Sequence, residues 1–186
     1  FGNLVDLKSP WLHGHSAGVG DLAAAAAGML GLREDREALR VAGYLHDLGR
    51  VGVSSSIWDK AGSLSTAERD QARLHAYHSE RILARIPPLT GLAKLAGQHH
   101  ERSDGSGYHR GFLAAQLTMP SRVLACADAY RRWIEDRPYR RALVPARAAD
   151  RLEAEARAGQ LDADAAAAVI EAAGLPRGSR RARPAD

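Results

Sequence analysis

The chain has 186 residues, 45% hydrophobic and 26% charged, with a formal net charge of +4; this is enough for one compact domain with a substantial core and does not require two. No run of about eighteen apolar residues occurs, which excludes an ordinary transmembrane helix, and the lone Cys126 excludes an internal disulfide and points to a reducing cytoplasm. Residues 175–186 (LPRGSRRARPAD) hold four Arg against one Asp and leave about +1 for the remainder, so direct nucleic-acid binding by the folded body is not expected.

The opening FGNLVDLKSPW lacks both Met and the basic, apolar pattern of a secretory signal, so the chain is expected to be an excised piece. Ser9 before Pro10 reads as a capped start and Gly31 as a stop, predicting a first helix over about residues 10–30. REALRVAGYLHDLG carries apolar residues at helical spacing and predicts a second helix ending at His46–Asp47. After a loop, Ser65 and Glu68 form a capping box for a third helix, stopped by Pro87–Pro88. A fourth helix over about 91–100 delivers His99 and His100 to the glycine-rich HHERSDGSGYHRG segment. Thr118 and Pro120 open a fifth, and two Ala-rich helices end at Gly159 and Gly174, the second with Asp162 as its cap. No segment alternates with period two. The expected fold is an all-α bundle over residues 1–174, followed by a basic linker over 175–186.

All eight histidines lie between His13 and His109, although the remainder of the chain is rich in other charged types. Helix-borne His and Asp make good metal ligands where several helices converge. The candidates are His15, His46 with Asp47, His75, His99 with His100, and Asp128. An adjacent His–Asp pair lets a carboxylate bridge two cations while the imidazole binds one, which points to a dinuclear site. His13, two positions from His15 and on another face, reads as a surface residue, His78 as structural, and Cys126 as a small buried helix residue.

The segments LKSPWLHGHSAGV, YLHDLGRVGV, SLSTAERDQARLHAYHSERIL, HHERSDGSGYHRG and ACADAYRRWIEDRPYRRAL, which cover most of residues 7–143, resemble the HD superfamily of metal-dependent phosphohydrolases, and within it the HD-GYP subgroup. The resemblance implies an all-α HD-domain fold with metal ligands at His15, His46, Asp47, His75, His99, His100 and Asp128, Asp47 bridging. It implies two divalent transition metals, iron or manganese ahead of zinc, cobalt or nickel, and hydrolysis of a nucleotide, with cyclic di-GMP the leading substrate. Asp47 and Arg50 are the expected catalytic residues. Arg50, Arg102, Asp104, Gly105, Gly107, Tyr108 and His109 are the expected substrate contacts, the glycines turning backbone amides toward phosphate.

Three positions depart from the family pattern. Arg50 stands where many relatives have Lys and is a poor proton donor. Trp11 stands where relatives with a third metal have Glu, so two metals are expected. His109 replaces the proline of GYP, and this GYH form resembles HD domains attached to LuxR-type regulators, whose DNA-binding segment follows an Arg-rich linker. Three readings follow. The first is a phosphodiesterase acting on a nucleotide or cyclic dinucleotide, and the second a sensory module that binds nucleotide or metal without turnover. The third is a helical dimerisation domain using Trp58 and Trp133–Ile134 as a homodimer surface. The basic RPYRRAL segment over 137–143 is a candidate phosphate contact or a solvated turn.

Overall fold

Helix α2 (His15–Met29) forms the centre of the molecule, and its composition explains why. Its alanines Ala23, Ala26 and Ala27 are fully buried, and such small side chains let neighbouring helices approach closely. In this computed structural model, which describes residues 2–176, α2 packs against α3 (Arg36–Leu45), α7 (Met119–Trp133) and α9 (Ala163–Ala172). Val19, Leu39, Leu124 and Ile170 fill the space between them, and α8 (Pro145–Arg157) closes the core with Leu152. Each such side chain contributes roughly 1.5–3 kcal/mol by leaving water. A smaller apolar cluster of Leu45, Leu83, Ala93 and Ala96 joins α3 to α5 (Thr66–Leu83) and α6 (Thr90–Gly97). Short α1 (Gly2–Asp6) and α4 (Ser55–Trp58) lie at the edge. The described residues contain no strand, only two isolated bridges.

The expected caps are present at three helices. Ser65 and Glu68 form a reciprocal capping box on α5, Thr118 accepts from the Ser121 amide at α7, and Asp162 accepts from two amides at α9. The first helix differs from expectation. Ser9 and Pro10 open only a single 3-10 turn, Pro10–Leu12, and Gly14 then adopts φ +75° before α2 starts at His15. That left-handed residue breaks what the apolar pattern reads as one helix. The fourth helix also ends early, at Gly97, so His99 and His100 stand in the turn beyond it. The basic run from Arg177 onward lies outside the described residues. No helix among those described is long and apolar enough to cross a membrane.

Candidate metal centre

The seven candidate ligands, spread over more than a hundred residues of sequence, come together and are all buried. Each is placed by a local device. His15 is the first residue of α2, whose exposed amide end is held by Asp6: its carboxylate accepts from the Ser16 amide at 3.1 Å and the Ser16 hydroxyl at 2.6 Å. His46 caps α3, and Asp47 sits in the turn after it. That turn is tied to α5 by the Gly49 amide, which donates to Ser79 Oγ at 2.8 Å. The turn carrying His99 and His100 is tied to α7 by Ser121, whose hydroxyl donates to Gln98 Oε1 at 2.5 Å.

Asp47 lies between two groups of imidazoles. Its Oδ2 is 3.4 Å from His46 Nε2 and 3.7 Å from His15 Nε2, whereas its Oδ1 is 3.3 Å from His75 Nε2 and 3.7 Å from His99 Nε2. Asp128 spans the other side, with Oδ1 3.4 Å from His15 Nε2 and Oδ2 3.5 Å from His100 Nδ1. Donor atoms fall within 4.8 Å of one another in three sets: His15, His46 and Asp128; His75, His99 and His100; and His46, Asp47 and His99.

Hydrogen bonding fixes which nitrogen faces inward. His46, His75 and His99 each have Nδ1 2.6 Å from the carbonyl three residues earlier, at Gly43, Ala72 and Ala96. A carbonyl only accepts, so Nδ1 carries the proton and Nε2 presents its lone pair to the cluster. His75 Nε2 and His99 Nε2 then meet at 3.2 Å, lone pair to lone pair, an arrangement that calls for a shared electrophile. His15 Nε2, His46 Nε2 and both oxygens of Asp47 and Asp128 are buried without a hydrogen-bond partner. Orphaned donor atoms of this kind in one place fit divalent cations.

The charge states agree. Burial pulls His99 and His100 well below the ordinary histidine range and His75 to about 4, leaving neutral rings near pH 7. Burial works against ionisation of Asp47 and Asp128, yet the Arg50 charge outweighs it at Asp47 and the Arg132 charge at Asp128, so both lie well below the usual carboxylate range. Burial also opposes a charged His46, but Asp47 and Asp128 raise it.

A cavity of about 290 Å³ opens onto the cluster, lined by His75, His100 and Tyr108. Among the described residues its other lining includes Arg50, Lys60, Arg69, Arg73, Arg132 and Arg137 and no carboxylate. Arg50 Nε forms an ion pair with Asp47 Oδ2 at 2.6 Å, and its guanidinium lies 4.4 Å from the Trp58 ring centre. Arg132 Nε lies 3.2 Å from Asp128 Oδ2. Burial raises the Tyr108 phenol, so it remains protonated. Trp11 and Tyr139 complete the rim, and Arg137 Nη1 donates to the Trp11 carbonyl.

Several expected substrate contacts lie elsewhere. Arg102, Asp104, Gly105, Gly107 and His109 are not among the residues lining the cavity. Arg102 donates to the Glu101 carbonyl, and Asp104 accepts from the amide and hydroxyl of Ser106 in an exposed turn. A Cβ on Gly107 would fall 2.4 Å from the Arg102 amide nitrogen, so this glycine permits backbone packing where a phosphate cradle was expected. His109 turns to α5, with Nε2 3.5 Å from Glu80 Oε2 and its ring beside Tyr77. Of the tryptophans, Trp58 lines the cavity, while Trp133 packs on the core between Arg140 and Arg151. His13 is exposed, His78 lies against Gly52 outside the cluster, and Cys126 is buried with its thiol pushed up to about 12.

A family described as HD domain matches residues 1–165. The chain belongs to the HD-domain family. Among relatives of this HD domain, 3'3'-cGAMP-specific phosphodiesterase 3 of Vibrio cholerae serotype O1 is 41% identical over 77% of this chain and 31% of its own length. Cyclic di-GMP phosphodiesterase PA4108 of Pseudomonas aeruginosa is 34% identical over 93% of this chain and 42% of its own. The chain thus spans well under half the length of the curated relatives it matches. In fold it resembles Bd1817, an HDG"Y"P protein from Bdellovibrio bacteriovorus, with a TM-score of 0.71 at 19% identity over 86% of this chain and 51% of that one. The crystal structure of the V. cholerae cyclic GMP-AMP phosphodiesterase V-cGAP3 matches 95% of this chain and 40% of its own, at 33% identity and a TM-score of 0.57.

Four residues that sequence reasoning missed matter to this HD domain. Asp6 anchors the helix that presents His15, Arg132 faces the cavity beside Asp128, and Glu135 touches His15. Glu101, fully buried, accepts from the Arg110 and Phe112 amides and fastens the 102–112 segment beneath the histidine pair. Of these only Arg132 carried a readable signal, its i,i+4 spacing from Asp128.

Proposed function

We propose that this HD domain is a metal-dependent phosphodiesterase acting on cyclic dinucleotides, with cyclic di-GMP and 3'3'-cGAMP the two candidate substrates. The observation that carries the reading is the cavity. Six cationic side chains and no carboxylate line a space that opens onto buried His and Asp lone pairs. Such a space favours a polyanion whose phosphate must reach metal-ligating groups. The names of the relatives, a 3'3'-cGAMP-specific phosphodiesterase and a cyclic di-GMP phosphodiesterase, support the substrate class.

The donor sets suit two divalent ions, one at His15, His46 and Asp128, the other at His75, His99 and His100, with Asp47 between. Iron or manganese is the preferred metal, and zinc, cobalt and nickel accept the same imidazole and carboxylate donors. Ions bound there supply the Lewis acidity for phosphodiester hydrolysis. The chain's own residues do the rest. Arg50 and Arg132 present guanidinium groups to the nonbridging phosphate oxygens while their Nε atoms hold Asp47 and Asp128 in place. Tyr108 offers a neutral hydroxyl donor, and Trp58 covers Arg50 and excludes water from it.

One observation favours a second reading, a sensory module that binds nucleotide without turnover: Arg50 holds its charge against Asp47 and cannot pass a proton to a leaving oxygen. A single experiment separates the two. The metal-loaded chain is incubated with cyclic di-GMP, 3'3'-cGAMP and pGpG in manganese buffer, and both binding and linear products are followed. Linear dinucleotide appearing from a cyclic substrate supports the phosphodiesterase. Saturable binding with no product selects the sensor, and neither binding nor product sinks both.

A further inference from the structure

His15 is held differently from the other Nε2-facing histidines. His46, His75 and His99 each use the carbonyl three residues earlier. His15 opens α2, so no preceding helical turn supplies that carbonyl. Its Nδ1 instead meets Glu135 Oε2 at 2.7 Å, across 120 residues of sequence. Glu135 stands in the turn after α7, the helix that also carries Asp128, so the two carboxylates flank opposite nitrogens of one imidazole. Glu135 is itself gripped: Oε2 lies 2.8 Å from Arg137 Nη2, and Oε1 lies 2.8 Å from Arg131 Nη2. Two guanidinium groups thus hold one carboxylate against one buried ring, and Arg137 also lines the substrate cavity.

We propose that Glu135 is the positioning residue of the metal centre, fixing the His15 tautomer and strengthening its Nε2 as a ligand through an anionic hydrogen bond. This rests on the metal-centre reading above. A carboxylate behind a ligating imidazole raises the ring's basicity and orients its plane, and removing such a partner costs roughly 10–100-fold in metal affinity. Glu135→Gln keeps the shape and an acceptor oxygen but removes the charge, whereas Glu135→Ala removes both. Manganese is titrated into metal-stripped protein while free ion is followed by electron paramagnetic resonance. The weaker of the two binding steps is expected to fall about tenfold in Glu135→Gln and toward a hundredfold in Glu135→Ala.

A general loosening of the fold would also weaken binding, so the decisive comparison repeats Glu135→Gln in a His15→Ala background. If Glu135 acts through His15, the second substitution adds nothing there. An equal loss in both backgrounds, or unchanged affinity in Glu135→Gln and Glu135→Ala while the parent chain binds metal, overturns the assignment. A parent chain that takes up no metal overturns the metal-centre reading instead.

Discussion

Arg50 and Arg132 do the same chemical job for two different carboxylates. Each keeps Nε on a buried Asp of the cluster, at i,i+3 for Asp47 and i,i+4 for Asp128, and each lines the cavity. Among the described residues Arg132 has no carboxylate partner other than Asp128, so its terminal nitrogens remain available to a phosphate. Arg132→Met should therefore raise KM for the hydrolysed cyclic dinucleotide by roughly ten- to hundredfold, the worth of a hydrogen bond to a charged group. Arg132→Lys, which keeps the charge but not the fork, should recover only part of this. Steady-state kinetics at saturating metal measure both, and wild-type KM in Arg132→Met would remove Arg132 from the substrate site. At this scale the residues that converge were legible because His and Asp in that order are chemically unusual, whereas Glu135 was not, since a carboxylate among arginines is an ordinary surface pattern. The packing at Gly107 was not legible for a physical reason: a glycine that faces another backbone and one that faces a phosphate look alike in sequence.

The histidines are brought together by how closely the helices cross. A Cβ on Gly43 in α3 would lie 2.4 Å from the Gly20 Cα in α2, so the two backbones touch there. His46 lies three residues beyond Gly43 and His15 five before Gly20, so this contact sets the spacing of the first ligand group. Gly43→Ala should push the helices apart and destabilise the fold by about 1–3 kcal/mol, as overpacking does. Denaturant unfolding of the metal-stripped chain measures it, and an unchanged midpoint would show that the crossing has slack. Caps made the helix starts at Ser65, Thr118 and Asp162 readable in sequence. The same signal misplaced the first helix, because Ser9–Pro10 caps a 3-10 turn as well as it would an α-helix, and the left-handed turn at Gly14 leaves no mark in the apolar pattern.

For the molecule as a whole, the metal site is where stability is most exposed. Two carboxylates and two imidazole nitrogens are buried there without hydrogen-bond partners, a costly arrangement unless cations satisfy them. Metal-loaded protein should carry close to two ions per chain, and chelation should lower Tm. Free metal at a hundred times Kd is worth about 2.7 kcal/mol for each bound ion, or roughly 5–10 °C per ion for a domain of this size. His46→Ala and Asp47→Ala should lose the ions and most of that difference. Elemental analysis with thermal unfolding tests this, and metal content unchanged in both variants would sink the dinuclear arrangement.

The buried Glu101 carboxylate has a further consequence. By taking the Arg110 and Phe112 amides, it closes the intervening segment into a loop whose two ends meet at one anchor. The loop also returns to the pair it leaves, because the Tyr108 amide donates to the His100 carbonyl at 3.2 Å and the Tyr108 ring lies 4.7 Å from the His100 ring. The histidine pair and its loop are therefore coupled. A change at the outward face, where His109 meets Glu80 and Tyr77, stands one residue from a direct contact to His100.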